Sequence, residues 1–222
     1  MQLTIWLCTM AFVFNAALVG VEDARPEENE EEVVVTEYQS EDAERYLWDT
    51  LSEYTEGNDM ITAGIMGYFW RESFLKSNAT AHWPTVNPYL ERDVPVEFTA
   101  EVDAGLADGS TRDYFIESVR ERIGGYGLGQ WYSNHYLEDF YDFARGWGTS
   151  IGDARMQCAF TVQSMQQDEE LWETLLEQPD AEKVGQQIAH LYDGSEEAAE
   201  YIGQMAKEFY EEYAASPAED AA

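Results

Sequence analysis

Residues 59–74 read DMITAGIMGYFWRESF, and this stretch decides the fold. Ile61, Ile65 and Phe69 recur at i, i+4 and i+8, the spacing of one helix face. Asn58 or Asp59 supplies the N-cap in front of them. Gly64 and Gly67 sit inside the same run, where glycine weakens a helix. Close approach of a second backbone accounts for that cost. Upstream, Tyr46, Leu47, Leu51 and Tyr54 mark a helix beginning at Glu41. Downstream, residues 77–110 are rich in Pro, Asn, Asp and Gly and read as an irregular excursion. Arg112 to Arg122 reads as a helix, and Gly124 to Gly129 as a turn or hairpin. Leu137, Phe140, Tyr141 and Ala144 define another amphipathic helix. Asp153 caps one carrying Met156, Phe160 and Val162 or Gln163. Helical patterns over 171–176, 181–192 and 195–213 follow. The expected class is mostly α with a small β-hairpin, in a domain spanning 41–215, with a disordered tail at 216–222.

The 222 residues suffice for one domain with appendages, and 45% hydrophobic content can fill its core. With 45 acidic and 12 basic residues the net charge is -33. Such a surface cannot neutralise nucleic-acid phosphates or dock on anionic lipid. Leu3 to Val21 is almost continuously apolar, so residues 1–21 read as a signal peptide or membrane-anchoring helix. No Lys or Arg precedes that run and no clear small-x-small cleavage site follows it. Either reading exports the rest to the extracellular side or cell envelope, with the membrane touched only through this segment. Residues 22–40 are a charged linker in which like charges repel. Cys8 and Cys158 do not form a disulfide framework, and Cys158 reads as a small buried side chain. His82, His135 and His190 lack ligand spacing, so no metal and no organic cofactor are expected.

Two pieces of sequence carry chemistry. Glu72 follows Phe69 and Trp70 and precedes Phe74. Desolvation by such neighbours favours a neutral carboxylic acid, which is what a proton donor to a departing oxygen must be. The local pattern fits equally a glutamate facing solvent beside Arg71. The second piece, residues 124–131, reads GGYGLGQW. Its four glycines let the main chain approach a ligand closely. Gln130 offers an amide for sugar hydroxyls, and Tyr126 and Trp131 offer flat faces. A plain turn followed by core aromatics is the alternative.

Taken together, residues 63–67 (AGIMG), Arg71-Glu72-Ser73-Phe74, Ser77-Asn78-Ala79 and Tyr126-Gly127-Leu128-Gly129-Gln130-Trp131 resemble the phage tail lysozyme family, part of the wider lysozyme-like superfamily. The likeness continues weakly through Phe143-Ala144-Arg145, Gly148-Thr149-Ser150, Gln157 and Phe160 and spans Glu41 to Tyr192. It implies a lysozyme-like α+β fold. It implies a glycoside hydrolase acting on bacterial peptidoglycan, at the β-1,4 bond between N-acetylmuramic acid and N-acetylglucosamine. Glu72 matches the family's catalytic glutamate. Ser73 belongs to the same motif, and Tyr126, Gly127, Leu128, Gly129, Gln130 and Trp131 match the wall of the substrate cleft.

This sequence departs from the family by the excursion from Thr80 to about Arg122 between the two motifs. That segment is either a lid, a source of sugar contacts through Trp83, Tyr89 and Phe98, or a surface decoration. A two-acid scheme needs a second carboxylate. Asp93, Asp103, Asp113, Glu117 and Glu121 all lie between the motifs, and Glu121, nearest the turn, is the one we favour. The reading is a monomeric muramidase. The alternatives are a lytic transglycosylase, or a non-catalytic wall-binding or structural module with the same fold.

Overall fold

A computed structural model describes residues 41–81, 94–192 and 195–214. The apolar segment 1–21, the linker 22–40 and the tail 216–222 lie outside the described residues, as do Trp83, Tyr89 and Asp93. The described chain is helical: α1 Glu41–Tyr54, α2 Asp59–Ser73, α3 Val94–Asp103, α4 Arg112–Ser118, α5 Asn134–Trp147, α6 Ala154–Gln167, α7 Glu169–Leu176, α8 Ala181–Tyr192 and α9 Glu196–Tyr213. Among the described residues no helix is long and apolar enough to cross a membrane.

Helix α2 is the centre of the core. Every residue from Ile61 to Phe69 is buried, so the stripe seen in sequence is one side of a helix covered all round. Asn58, not Asp59, is its cap, accepting a hydrogen bond from the Ile61 amide at 3.1 Å. Helices α8 and α9 pack on each other and on α2. The glycines of α2 make this approach possible. A Cβ at Gly64 would lie 2.6 Å from Val184 Cγ1. One at Gly67 would lie 2.7 Å from the Ile202 carbonyl oxygen and 2.9 Å from the Ala206 nitrogen. The α9 backbone cannot turn aside as a side chain can. Gly67→Ala is therefore expected to force α2 and α9 apart and to cost about 2 kcal/mol, within the usual range for overpacking. A thermal melt unchanged from wild type would show that the contact is looser than this.

Two sequence expectations need correction. The excursion at 77–110 contains a helix, α3, with Pro95 in its first turn, where its missing N–H costs nothing. Flanking Pro and Gly concealed it. Its Phe98 and Val102 are buried, and Phe98 and Phe115 both pack edge-on against Tyr126, 5.7 Å between centroids in each case. The α3–α4 part of the inserted segment is thus core, and Phe98 is not a sugar contact.

The β-hairpin also fails, since the described residues contain no strand. Two isolated antiparallel bridges, Thr80 with Tyr126 and Tyr126 with Trp131, stand in its place. The reason is local. Helix α4 runs into a wider π turn over Val119–Ile123, closed when the Gly124 amide donates to the Val119 carbonyl at 2.7 Å. On the other side Ser133 is already the N-cap of α5. Too few residues remain between these helices for a ladder.

Candidate active site

The turn at 124–131 is held from below by one buried side chain. The Gln157 Oε1 accepts from the Leu128 amide at 2.8 Å. Its Nε2 donates to the carbonyls of Ser77 and Ile151, both at 2.7 Å. Gly127 has φ +80, and a Cβ there would come within 2.8 Å of both Gln157 Oε1 and the Trp131 ring. The Gly127 backbone is thus pressed against the protein's own side chains. Tyr126 and Trp131 close the turn with paired backbone hydrogen bonds of 3.1 Å each. Gln130 adopts φ +47, and its Nε2 donates to the carbonyls of Gly127 at 2.8 Å and Ala79 at 3.0 Å. That amide braces the turn against the segment following α2.

On the outer side of this turn lies a cleft with a volume of about 360 Å³, within the range of small-ligand sites. One wall is the end of α2, with Tyr68, Arg71 and Glu72. The opposite wall is Gly129, Gln130, Trp131, Tyr132 and Ser133, and Tyr136, Leu191 and Tyr192 complete it. The Tyr68 hydroxyl donates to the Gly129 carbonyl at 2.7 Å and so fixes the separation of α2 from the turn. Its ring stacks on Tyr192, centroids 4.8 Å apart. Burial pushes the phenols of Tyr68, Tyr192 and Tyr136 above their ordinary range, so they remain neutral donors. The Glu72 side chain is 21% exposed and forms an ion pair with Arg71.

The structure brings Glu72, Gly129, Gln130 and Trp131 together around this cleft. The other expected residues lie elsewhere. Tyr126 is fully buried among Phe98, Phe115 and Phe140, its hydroxyl 2.6 Å from Thr99 Oγ1. Leu128 is buried in the core and Gly127 sits on Gln157. The Ser73 hydroxyl is buried and donates to the Phe69 carbonyl at 2.9 Å. Glu121 is exposed on the π turn and does not line the cleft. Asp113 and Glu117 are exposed on α4. Asp103 accepts from Ser150 Oγ at 2.5 Å and the Ile151 amide at 3.0 Å, tying α3 to the turn before α6. Glu72 is the one carboxylate among the described lining residues.

Sequence reading missed Tyr68, Tyr132, Ser133, Tyr136, Leu191 and Tyr192. Tyr68 had a usable signal, because it precedes Glu72 by four residues and shares its helix face. Tyr192 had none, being placed only by the packing of α8.

Comparisons with curated proteins and with solved structures gave no match. A family model does match: that of the phage tail lysozyme, over residues 42–213. This span takes in every described helix except the first residue of α1, and it includes both walls of the cleft. The chain belongs to the phage tail lysozyme family.

Proposed function

We propose that this chain is a lysozyme-like peptidoglycan hydrolase that cuts glycan strands at the β-1,4 bond between N-acetylmuramic acid and N-acetylglucosamine. The observation that carries the reading is the position of Glu72. It stands half-withdrawn from solvent on one wall of a ring-lined cleft whose other wall is the glycine turn. A carboxylic acid there can protonate the departing glycosidic oxygen while water adds to the sugar carbon. The exposed side chains of Ser133 and Tyr132 are available to sugar hydroxyls and ring faces. Because peptidoglycan lies outside the cell membrane, the site of action is the envelope or beyond.

The lining also favours a second reading. With one carboxylate among the described cleft residues, Glu72 can serve first as acid and then as base, while the substrate's own C6 hydroxyl attacks. This is lytic transglycosylation. Mass analysis of the digested wall separates the two, since hydrolysis adds one water per cut and transglycosylation adds none.

Tyr132 provides a test of the cleft itself. It is 61% exposed on the lip, so its ring supports little of the fold. Tyr132→Ala is expected to raise KM several-fold, the loss of about 1 kcal/mol of ring contact. The melting temperature should hold, as for other surface changes. An unchanged KM on soluble glycan fragments would place the sugar elsewhere.

A further inference from the structure

Helix α2 ends on a strained residue. Phe74, its C-cap, has φ 51 and ψ 40, and Leu75 follows at φ 62. This left-handed turn closes the helix, with the Phe74 amide donating to the Trp70 carbonyl at 3.0 Å. Glycine takes such a backbone freely, whereas a residue with a Cβ is strained by it. Burial accounts for Leu75, which is 4% exposed. It does not account for Phe74, whose side chain is 64% exposed. A large ring left in water at a position suited to glycine adds strain and gains little burial, and such strain gathers at functional surfaces.

The ring is nonetheless held in place. It stands edge-on to Trp70, with centroids 5.9 Å apart. Trp70 is half-buried, meets Phe209 edge-on at 6.1 Å, and donates from its Nε1 to the Tyr201 hydroxyl at 3.2 Å. Tyr201 is exposed on α9. Three uncharged rings are thus fixed to one another at the end of α2. Phe74 follows Arg71 by three residues, the spacing of neighbours on a helix surface. Arg71 lines the cleft, so the rings begin where that wall ends. The cleft itself, about 360 Å³, is at the small end of ligand sites. A polymer strand seated in it must run on over the neighbouring surface.

We propose that Trp70, Phe74 and Tyr201 form a distal sugar-binding platform that takes the glycan strand as it leaves the cleft. This rests on the cleft being the glycan site, as proposed above. The occupant follows from chemistry. Sugar rings have apolar C–H faces, which lie against the electron-rich faces of aromatic rings and shed water from both. A chain of net charge -33 turns away nucleic acid and anionic lipid. Three rings fall far short of the roughly 20–30 residues a side of a stable protein interface. The Phe74 strain is kept because the use of the ring lies in its exposure.

The experiment uses the full chain carrying E72Q, so that strands stay whole. It is titrated with peptide-free glycan strands from bacterial wall and with the tetrasaccharide cut from them. Calorimetry reads the gain in affinity from tetrasaccharide to strand. Adding F74G is expected to remove about three- to tenfold of that gain, the worth of one ring contact. F74Y keeps the ring and should keep the gain. Because F74G relieves the backbone, its melting temperature should stand at or above that of the parent. An equal gain in the parent and in F74G overturns the platform. So does a parent that binds strands no better than the tetrasaccharide. Should F74G melt early, F74N decides in its place, since asparagine also tolerates this backbone. Vesicles of phosphatidylcholine that capture the parent but not F74G, with no effect of glycan length, would make the rings a membrane contact and overturn the proposal as well. The reading of the cleft fails separately. An E72Q that cuts at the wild-type rate removes Glu72 as the acid. A wild type that binds by length but never cuts removes the hydrolase and leaves the platform standing.

Discussion

Glu72→Gln is expected to lower the rate of wall clearing by about 10²–10⁴-fold, the usual worth of a positioned general acid. The amide keeps the shape of the side chain and can still accept a hydrogen bond from Arg71, but it cannot supply a proton. The fold should survive. The Arg71 pair is partly exposed, so after allowance for solvent screening its loss costs about 1 kcal/mol at most. Activity should be read by turbidity and by release of soluble glycan, with binding to sedimented wall measured in parallel. A variant that clears at the wild-type rate would exclude Glu72 as the acid. Wild type and variant that both bind and both fail to clear would make the chain a wall-binding module.

The second large effect is on stability. Gln157→Leu is expected to unfold the chain roughly 6–12 °C earlier, and to weaken activity as well. Three buried groups lose their partners: the Leu128 amide and the carbonyls of Ser77 and Ile151. Each such loss costs about 1–3 kcal/mol. A total of about 3 kcal/mol corresponds to that shift at roughly 2–4 °C per kcal/mol for a domain of this size. Activity falls because the Leu128 amide anchors the turn that forms one wall of the cleft. Gln157→Glu keeps the acceptor for Leu128 but turns a carboxylate oxygen toward the Ser77 and Ile151 carbonyls in a buried site, so it should destabilise at least as much as Gln157→Leu. A Gln157→Leu melt within 2 °C of wild type would mean that the turn stands without this brace.

The local signals were sound where a single segment carries its own cause. Asp153 caps α6 as expected, accepting from the Met156 amide at 2.8 Å, and Met156, Phe160 and Val162 are the buried positions while Gln163 faces out. Cys158 is a buried thiol whose proton is held by desolvation. The two glycines of α2 do meet other helices closely. Periodicity failed where elements are short and flanked by breakers, as with α3, and where a turn signal does not say how many residues are left for pairing, as with the absent hairpin. The site was legible in part. Glu72 and the stretch 129–131 line the cleft, but Tyr126 and Leu128, read as cleft wall, face inward. Alternation along a tight turn sends successive side chains to opposite sides, and only the packing beneath decides which side is core.

Sequence alone determined where the helices other than α3 form, that α2 ends in a carboxylate set among aromatic residues, and that a glycine-rich turn follows it at a distance. Those features depend on spacing, capping and backbone freedom, which act over a few residues. Tertiary structure decided which surface became a cleft. Tyr192, Tyr136 and Gln157 reach the site through the packing of α8, α5 and α6, and the pairing of Arg71 with Glu72 depends on two side chains converging over that space. Such contacts bring together residues remote in the chain, and a local pattern reports that a face will be covered without naming what covers it.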